Sequence, residues 1–386
     1  MREVAVLGIG QTRVDEHWDK SLKELAGDAV LAALKDASLA GAEALYVGNM
    51  LSSPANHQQH LGASIADWVG MRYSGALHVE AACSSGAAAF RSALMAVASG
   101  MVDTAVAVGA EKMTDSPGNE ITAQLATAAD AELELDMGLS FVALNALIMR
   151  RYMHEYGWSK NHFAAFSINA HANGAHNPHA RFQEAITEVE YQKAGMVADP
   201  INLMDASPMG DGAAAALLVP VEWLRSRNIH PLVRVVGSAA ATDTIAIQNR
   251  REALWLSAAE KSSREAYAQA GITPQEIDVF EAHDAFSIMA ALSLESSGFA
   301  ERGQAPRLAN DGEIRPSGKV PIATRGGLKA RGHPVGATGM YQIVEVVQQL
   351  RGEADGTQVE GARIGMAQNI GGSGSNILTH ILRVDH

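Results

Sequence analysis

The single cysteine of the sequence, Cys83, lies where a nucleophile is expected. It follows the strand-like segment VEAA and precedes SSGAAAFRSALMAVASG, whose alanine-rich body predicts a helix that ends at Gly100. The sulfur would then lie at a helix N-terminus, where unpaired N–H groups and the helix dipole favour thiolate over thiol. A lone cysteine is ordinarily an inert core residue. The strand, Cys-Ser-Ser-Gly and helix arrangement favours the reactive interpretation instead.

Two histidines are candidate catalytic groups beside this cysteine. His333 lies in RGHPVGATG, where glycines permit close backbone approach and Pro334 fixes the turn. A neutral imidazole near pH 7 can take a proton from a thiol and return it to a departing thiol. His283 follows the run IDVFEA, so we expect it where a strand ends, a usual location for catalytic groups in α/β sheets. Asp284 beside it is either an orienting partner or a helix cap.

A glycine-rich run, NIGGSGSN at 369–376, follows the predicted strand RIGMAQ. Such a run supplies clustered backbone N–H groups, as an oxyanion site needs, although a plain turn has the same composition. The candidate residues are Asn369, Gly371 and Gly372.

A locally basic segment, TRGGLKARGHP, precedes His333. Its charges could meet the phosphates of a ligand, and solvated surface charge explains them equally well. The residues concerned are Arg325, Lys329 and Arg331.

Composition excludes several classes of function. Among 386 residues the net charge is −13, which disfavours general attraction to nucleic acid or to anionic membranes, so an anionic substrate needs a locally basic mouth. One cysteine forms no intramolecular disulfide, and the start MREVAVLGIGQT lacks the features of a secretory signal, so we expect a cytoplasmic protein. The apolar stretches fall short of the roughly 20 residues that a membrane span requires.

Metal and nicotinamide chemistry also find little support in the sequence. There is no HExxH motif, and His57 and His60 are three residues apart without an evident third ligand. The segment LGIGQT after the first strand lacks the third glycine of a dinucleotide site. We therefore expect neither a metal nor a bound cofactor.

The order of apolar runs and amphipathic stretches predicts a layered α/β protein with an internal repeat. VAVLGIG, a helical pattern and ALYVGNM near the start are matched by VRVVGSAAA, a helical pattern and DVFEAHDAF in the second part. Each half then continues with a glycine- or serine-rich turn, a helix and a closing strand. Residues 113–202 do not fit the repeat, and we interpret them as an insertion that covers a site.

Five segments together resemble the thiolase superfamily, in their order along the chain as well as in their residues. They are AACSSGAA at 81–88, DASPMGDGAAAALLV at 205–219, HDAF at 283–286, GHPVGATG at 332–339 and NIGGSG at 369–374. HDAF, in place of Asn-Glu-Ala-Phe, makes the chain similar to the archaeal and sterol-carrier-type branch.

The resemblance implies two similar βαβαβαββ halves, 1–230 and 231–386, in a five-layered α/β/α/β/α fold with a loop domain inserted at about 113–202. It implies reversible carbon–carbon bond formation between coenzyme A thioesters, which are substrates rather than cofactors, through an acyl group on Cys83. Ser207 and Phe286, in the DASPMG and HDAF segments, become candidates for substrate binding. Members of the family form dimers or tetramers, and archaeal-type members associate with a small zinc-ribbon/OB-fold protein and a hydroxymethylglutaryl-CoA synthase.

The chain departs from the family at the second catalytic cysteine. Its usual place in a closing Cys-x-Gly motif holds Asn369, and the alternative place within the HDxF motif holds Ala285. We therefore expect the α-proton base to be His283 first, or a bound water or the Cys83–His333 pair. Two other functions stay open: a decarboxylating, ketoacyl-synthase-like condensing enzyme, and a non-catalytic subunit that binds acyl-CoA or lipid or supports a partner enzyme.

Overall fold

Short runs of Val, Ile, Leu and Ala alternate with longer amphipathic stretches. The short runs form strands, and the amphipathic stretches form helices. The computed structural model describes residues 2–229 and 231–385. Its strands are β1 (Val4–Gln11), β2 (Ala44–Gly48), β3 (Gly75–Val79), β4 (Ala105–Glu111), β5 (Met196–Ala198), β6 (Ile201–Asn202), β7 (Gly212–Pro220), β8 (Leu232–Thr242), β9 (Val279–Glu281), β10 (Ile364–Gly371) and β11 (Asn376–Asp385).

The helices follow the 3.6-residue apolar period and their usual end signals. Ser21 and Glu24 form a capping box at the start of the first long helix, and Gly100 and Gly352 end two others in the left-handed conformation. The α-helices are α1 (Leu22–Asp36), α2 (Ser52–Asn56), α3 (Leu61–Trp68), α4 (Ser85–Ser99), α5 (Gly118–Ala126), α6 (Phe141–Tyr156), α7 (Ala164–Gly174), α8 (Glu188–Lys193), α9 (Val221–Arg225), α10 (Ser257–Ala270), α11 (Ser287–Ser296), α12 (Ala305–Asn310) and α13 (Thr338–Arg351).

The large sheet shows the internal repeat in its strand order, β3-β2-β4-β7-β1-β8-β11-β10-β9. In the first half β1 pairs antiparallel with β7, β7 antiparallel with β4, and β4 parallel with β2. In the second half β8, β11, β10 and β9 pair in the same sequence of antiparallel, antiparallel and parallel. The two half-sheets meet at a short pairing of β1 with β8.

Helices fill three layers around the half-sheets. Helix α1 packs on β1, β7 and β4 on one outer side, α10 packs on β8 and β11 on the other, and α4 and α13 pack against each other between them. The middle layer is closed by Phe90 and Val97 of α4 with Met340 and Ile343 of α13, all fully buried. The arrangement is the five-layered α/β/α/β/α fold that the resemblance implies.

Two glycines let α4 and α13 approach closely at their N-termini. A side chain on Gly86 would begin 2.8 Å from the carbonyl oxygen of Gly336, and one on Gly339 would begin 2.4 Å from the backbone nitrogen of Ala87. Real side chains cannot occupy such distances, so only glycine fits at both positions. This contact brings the segments that carry Cys83 and His333 to the same end of the middle layer.

The segment that breaks the repeat contains α5 to α8 and the two-stranded sheet of β5 and β6. Helices α6 and α7 pack on α11 of the second half through Met149, Tyr152 and Phe166. Among the described residues no helix is long and apolar enough to cross a membrane.

Candidate active site

Cys83 lies between β3 and α4, two residues before the helix begins. The turn is tight because Ala82 adopts a left-handed backbone conformation (φ 52°), which is unusual for alanine. The hydroxyl of Ser85 stabilises this turn by accepting from the N–H of Ala81 (2.9 Å) and donating to the carbonyl of Ala82 (2.6 Å). The helix N-terminus that the sequence predicts at the sulfur is present.

The electrostatic expectation for this thiol needs correction. The backbone N–H groups of Gly372 and of Cys83 itself face the sulfur and favour its thiolate, yet burial and the charge of Glu111 raise the pKa of Cys83 to about 12. Desolvation therefore outweighs the helix N-terminus. The resting cysteine is a thiol and requires a base.

Glu111, which sequence reasoning missed, lies at the carboxyl end of β4 and is fully buried. Its carboxylate accepts hydrogen bonds from the Asn49 side chain (2.7 Å) and from the backbone N–H groups of Met50 (3.0 Å), Leu51 (3.1 Å) and Gly336 (2.9 Å). It thus fixes the GHPVGATG segment to the first half-sheet. Burial raises the pKa of Glu111 to about 7. A carboxylate that ends the apolar strand AVAVGAE was the signal available in the sequence.

His333 is held at both its backbone and its ring. Its N–H donates to the carbonyl of Pro208 (3.0 Å), and its Nδ1 lies 2.7 Å from the hydroxyl of Thr338. Burial lowers the pKa of His333 well below its usual 6.5, with smaller contributions from His283 and Arg331. The imidazole is therefore neutral at physiological pH, as a general base must be.

His283 follows β9 at the carboxyl end of the second half-sheet, as expected. Its Nδ1 lies 2.9 Å from the side-chain nitrogen of Asn369, and burial together with Arg331 lowers its pKa to about 3. The carboxylate of Asp284 accepts from the N–H of Leu328 (2.7 Å), which lies in the first turn of the π-helix Gly327–Arg331. Of the two roles open to Asp284, that of a helix cap matches this contact.

Cys83, His283 and His333 border one cavity of about 390 Å³. Residues of the inserted region form part of its wall, so this segment covers the site; they include Thr122, Leu125, Phe141, Val142 and Val197. The predicted substrate contacts Ser207 and Phe286 also line it, as does Gly372.

The residues of the glycine-rich run at 369–376 have different roles. Gly372, in a left-handed conformation (φ 61°), presents its N–H to the sulfur of Cys83. Gly371 instead allows close packing, because a side chain there would begin 2.7 Å from the carbonyl of Ala81. Asn369 faces His283 rather than the sulfur.

Arg325, Lys329 and Arg331 do not form the expected phosphate-binding surface, because all three are buried and bond to groups within the protein. Arg325 donates to the carbonyl of Ala354 (2.7 Å), and Lys329 donates to the carbonyl of Asp205. Arg331 is completely buried against Glu345, with 2.8 Å between Nε and Oε1.

A second cavity of about 660 Å³ adjoins the first, and Ala206 and Ser207 belong to the walls of both. Arg13 and Arg181 line it, and Lys329 reaches its wall. One guanidinium nitrogen of Arg181, Nη1, is buried without a hydrogen-bond partner among the described residues. Arg13, Arg181 and Lys329 thus place positive charge next to the site.

No group of three or more His, Cys, Asp or Glu side chains that could hold a metal ion occurs in the part of the chain that the structure describes. The chemistry available at the site is that of one thiol, two neutral imidazoles and directed backbone N–H groups.

Comparison with known proteins agrees with the fold. Residues 4–222 match the family model "Thiolase, N-terminal domain", and residues 239–384 match "Thiolase C-terminal domain-like". An acetyl-CoA acetyltransferase of Methanothermobacter thermautotrophicus is 45% identical over 99% of both chains, and one of Methanocaldococcus jannaschii is 36% identical over 99% of both. A solved structure named "Ltp2-ChsH2(DUF35) aldolase" superposes with a TM-score of 0.86 at 26% identity, covering 100% of this chain and 98% of that one.

The chain belongs to the thiolase family. It is an acyltransferase, and the resemblance read from its motifs is confirmed.

Proposed function

We propose that this thiolase catalyses the reversible condensation of two molecules of acetyl-CoA to acetoacetyl-CoA and coenzyme A. The single observation that carries the proposal is the cavity shared by Cys83, His333 and His283. The choice of acetyl as the acyl group is supported by the name of the 45% identical relative. Thiolytic cleavage of a 3-ketoacyl-CoA is the same reaction in reverse.

The first half-reaction transfers an acetyl group to Cys83. His333 takes the proton of the thiol, the sulfur attacks the thioester carbon, and coenzyme A leaves with the proton that His333 returns. A base is needed because the pKa of Cys83 is raised to about 12. The N–H groups of Cys83 and Gly372, which face the sulfur, are suited to hold the oxyanion of the tetrahedral intermediate.

The second cavity is suited to the nucleotide end of coenzyme A. It is lined by Arg13 and Arg181 and adjoins the site at Ser207, whereas the overall charge of the chain is −13. Arg13 lies 3.3 Å from Asp15 and Arg181 lies 2.6 Å from Glu16, so both charges are partly compensated. Arg13 and Arg181 nevertheless line the cavity, and guanidinium groups are suited to bind phosphate.

The assembly proposed is a homodimer in which β3 of each copy pairs with the other. Strand β3 is the end strand of the large sheet, it is largely exposed, and Leu77 on it is 59% exposed. Two copies of an edge strand pair readily across a twofold axis. The same strand leads to Cys83, so pairing would also support the turn that carries the nucleophile.

A partner protein and a compartment are further parts of the proposal. The name of the solved neighbour joins two components, which supports association with a second protein, for which a zinc-ribbon/OB-fold protein or a hydroxymethylglutaryl-CoA synthase is the expectation from family resemblance. A cytoplasmic location fits a nucleophilic thiol that must stay reduced.

The test is an assay of the purified protein with acetyl-CoA alone, with malonyl-CoA added, and with acetoacetyl-CoA plus coenzyme A. Acetoacetyl-CoA formed from acetyl-CoA alone, with thiolysis in the reverse direction, supports the proposal. Condensation that requires malonyl-CoA, without thiolysis, would instead make the chain a decarboxylating enzyme. Binding of acyl-CoA without turnover would make it a non-catalytic subunit.

A further inference from the structure

In each of the two histidines of the site, Nδ1 contacts a neighbouring side chain, and the two neighbours differ. Nδ1 of His283 lies 2.9 Å from the side-chain nitrogen of Asn369, and Nδ1 of His333 lies 2.7 Å from the hydroxyl of Thr338. Within the described residues neither Nε2 makes a hydrogen bond, and both rings border the cavity. The partner on Nδ1 therefore decides whether each Nε2 offers the substrate a proton or a lone pair.

The orientation of the Asn369 amide follows from what surrounds its oxygen. Oδ1 is buried without a hydrogen-bond partner, and it lies 2.3 Å from the point where a side chain on Gly339 would begin. The N–H of Ala87, in the first turn of α4, lies 2.4 Å from the same point. Ser84 gives that helix no side-chain cap, so its first N–H groups leave positive charge there. A reversed amide would direct NH₂ at these donors, which is unfavourable.

We infer that Asn369 is a positioning residue that holds His283 in the tautomer protonated on Nε2. The NH₂ group of Asn369 donates to Nδ1 of His283, so the proton of the neutral ring lies on Nε2 and points into the cavity. His283 is then a hydrogen-bond donor to the substrate and not its base.

His333 has the opposite tautomer. The Thr338 hydroxyl also lies 3.4 Å from the carbonyl of Pro334, to which it can donate its one hydrogen. The oxygen then accepts from Nδ1–H of His333 and leaves a lone pair on Nε2. One neutral imidazole donates and the other accepts.

This division of roles supplies an α-proton base without a second cysteine, and it rests on the proposed function. After acetyl transfer His333 is neutral again. The C–H bond of the second acetyl-CoA breaks, its proton goes to Nε2 of His333, and its electron pair forms an enolate whose oxygen accepts from Nε2–H of His283. The enolate carbon forms the new bond to the acetyl carbon, the bond to Cys83 breaks, and the cysteine sulfur takes the proton from His333.

The tautomers are measured by long-range ¹H–¹⁵N NMR of the full protein labelled with ¹⁵N-histidine, with His283→Gln and His333→Gln used for assignment. We expect His283 protonated on Nε2 and His333 protonated on Nδ1. A wild-type spectrum with His283 protonated on Nδ1 would overturn the inference whatever the variants do.

Asn369→Asp tests the functional consequence. A carboxylate accepts a hydrogen bond from Nδ1–H, so it favours the tautomer of His283 that carries its proton on Nδ1. We expect an inverted His283 signal and about a 10²- to 10³-fold slower exchange of acetyl-CoA α-protons into D₂O, the usual effect of losing one oxyanion donor. Formation of acetyl-Cys83 should stay within about twofold, because acylation does not use the His283 donor.

Asn369→Ala removes the partner of Nδ1 of His283, so it should give mixed tautomers and a smaller loss of α-proton exchange. This variant replaces Asn369→Asp if the aspartate protein does not fold. Unchanged exchange with an inverted tautomer would contradict the role of His283. Failure of the wild-type protein to form acetyl-Cys83 would contradict the proposed function instead and leave the tautomer result standing.

Discussion

The rings of His283 and His333 lie 5.2 Å apart between centroids and meet edge to face at 86°. Both are buried, and the pKa of each lies below the usual 6.5, so two uncharged imidazoles face one cavity. Two neighbouring cations would repel each other in such a site. Two neutral rings can instead share the work, with one donating and one accepting a hydrogen bond.

The reactivity of Cys83 is expected to depend steeply on pH. Because burial and Glu111 raise its pKa to about 12, the thiolate fraction should rise about tenfold for each pH unit through the neutral range. The measurement is the rate of alkylation by iodoacetamide, followed by mass spectrometry, from roughly pH 6 to pH 9. A rate that reaches its plateau near pH 7 would mean that the helix N-terminus dominates after all.

The fit of coenzyme A to the second cavity is tested with Arg181→Gln. Loss of one charge-assisted hydrogen bond, about 1.5–3 kcal/mol, should raise KM for acetyl-CoA roughly tenfold or more. KM for acetyl-pantetheine, which lacks the nucleotide, should not change. Arg315→Gln, an exposed arginine of a different cleft, is the matched control. Equal effects of Arg181→Gln on both substrates would show that the cavity does not hold the nucleotide.

Dimer formation through β3 is tested with Leu77→Glu. Like charges facing each other across the twofold axis should cost several kcal/mol and shift the protein to monomers in light scattering after size exclusion. Leu31→Glu, which changes an exposed leucine on α1, controls for the substitution. A Leu77→Glu protein that remains dimeric at micromolar concentration would place the interface elsewhere.

Buried His380 should make the protein less stable in acid. Burial lowers its folded pKa to about 3 from the usual 6.5, so between these values the unfolded chain binds a proton that the folded protein does not. The free energy of unfolding should therefore fall with decreasing pH by about 1.4 kcal/mol per unit for this group. His283 and His333 act in the same direction.

Urea unfolding at a series of pH values from neutral toward acid checks this expectation. The free energy of unfolding of the His380→Gln protein should change less steeply with pH than that of the wild type, and the difference should correspond to one proton. Other groups contribute alike to both proteins. His154→Gln, at an exposed position, should keep the wild-type slope. Equal slopes for wild type and His380→Gln would show that His380 is not buried as a neutral group.

The sequence predicts the repeat and the catalytic segments because both are local. The runs that became β1, β8, α4 and α13 carry their own apolar period, and the glycine-rich segments mark the ends where Cys83 and His333 lie. The resemblance to a known family added the order of the segments and the layered arrangement.

What the sequence could not predict depends on burial. TRGGLKARGHP is basic in sequence, but only the fold shows that Arg331 is covered by Tyr341 and Glu345. The balance between the helix N-terminus and desolvation at Cys83 likewise depends on Glu111, which lies 28 positions away in the chain and is brought close by β4. Arg181, separated from Ser207 by helix α8 and the two short strands β5 and β6, gave no local signal either.

The acyl group that Cys83 is proposed to carry can be detected by intact-protein mass spectrometry after brief incubation with acetyl-CoA. We expect one acetyl group, mapped by peptide analysis to Cys83, released by added coenzyme A, and absent from Cys83→Ala. His333→Gln should acetylate about 10²- to 10⁴-fold more slowly, the range expected for loss of a general base. An acetyl group on another residue, or full condensing activity in Cys83→Ala, would show that Cys83 is not the nucleophile.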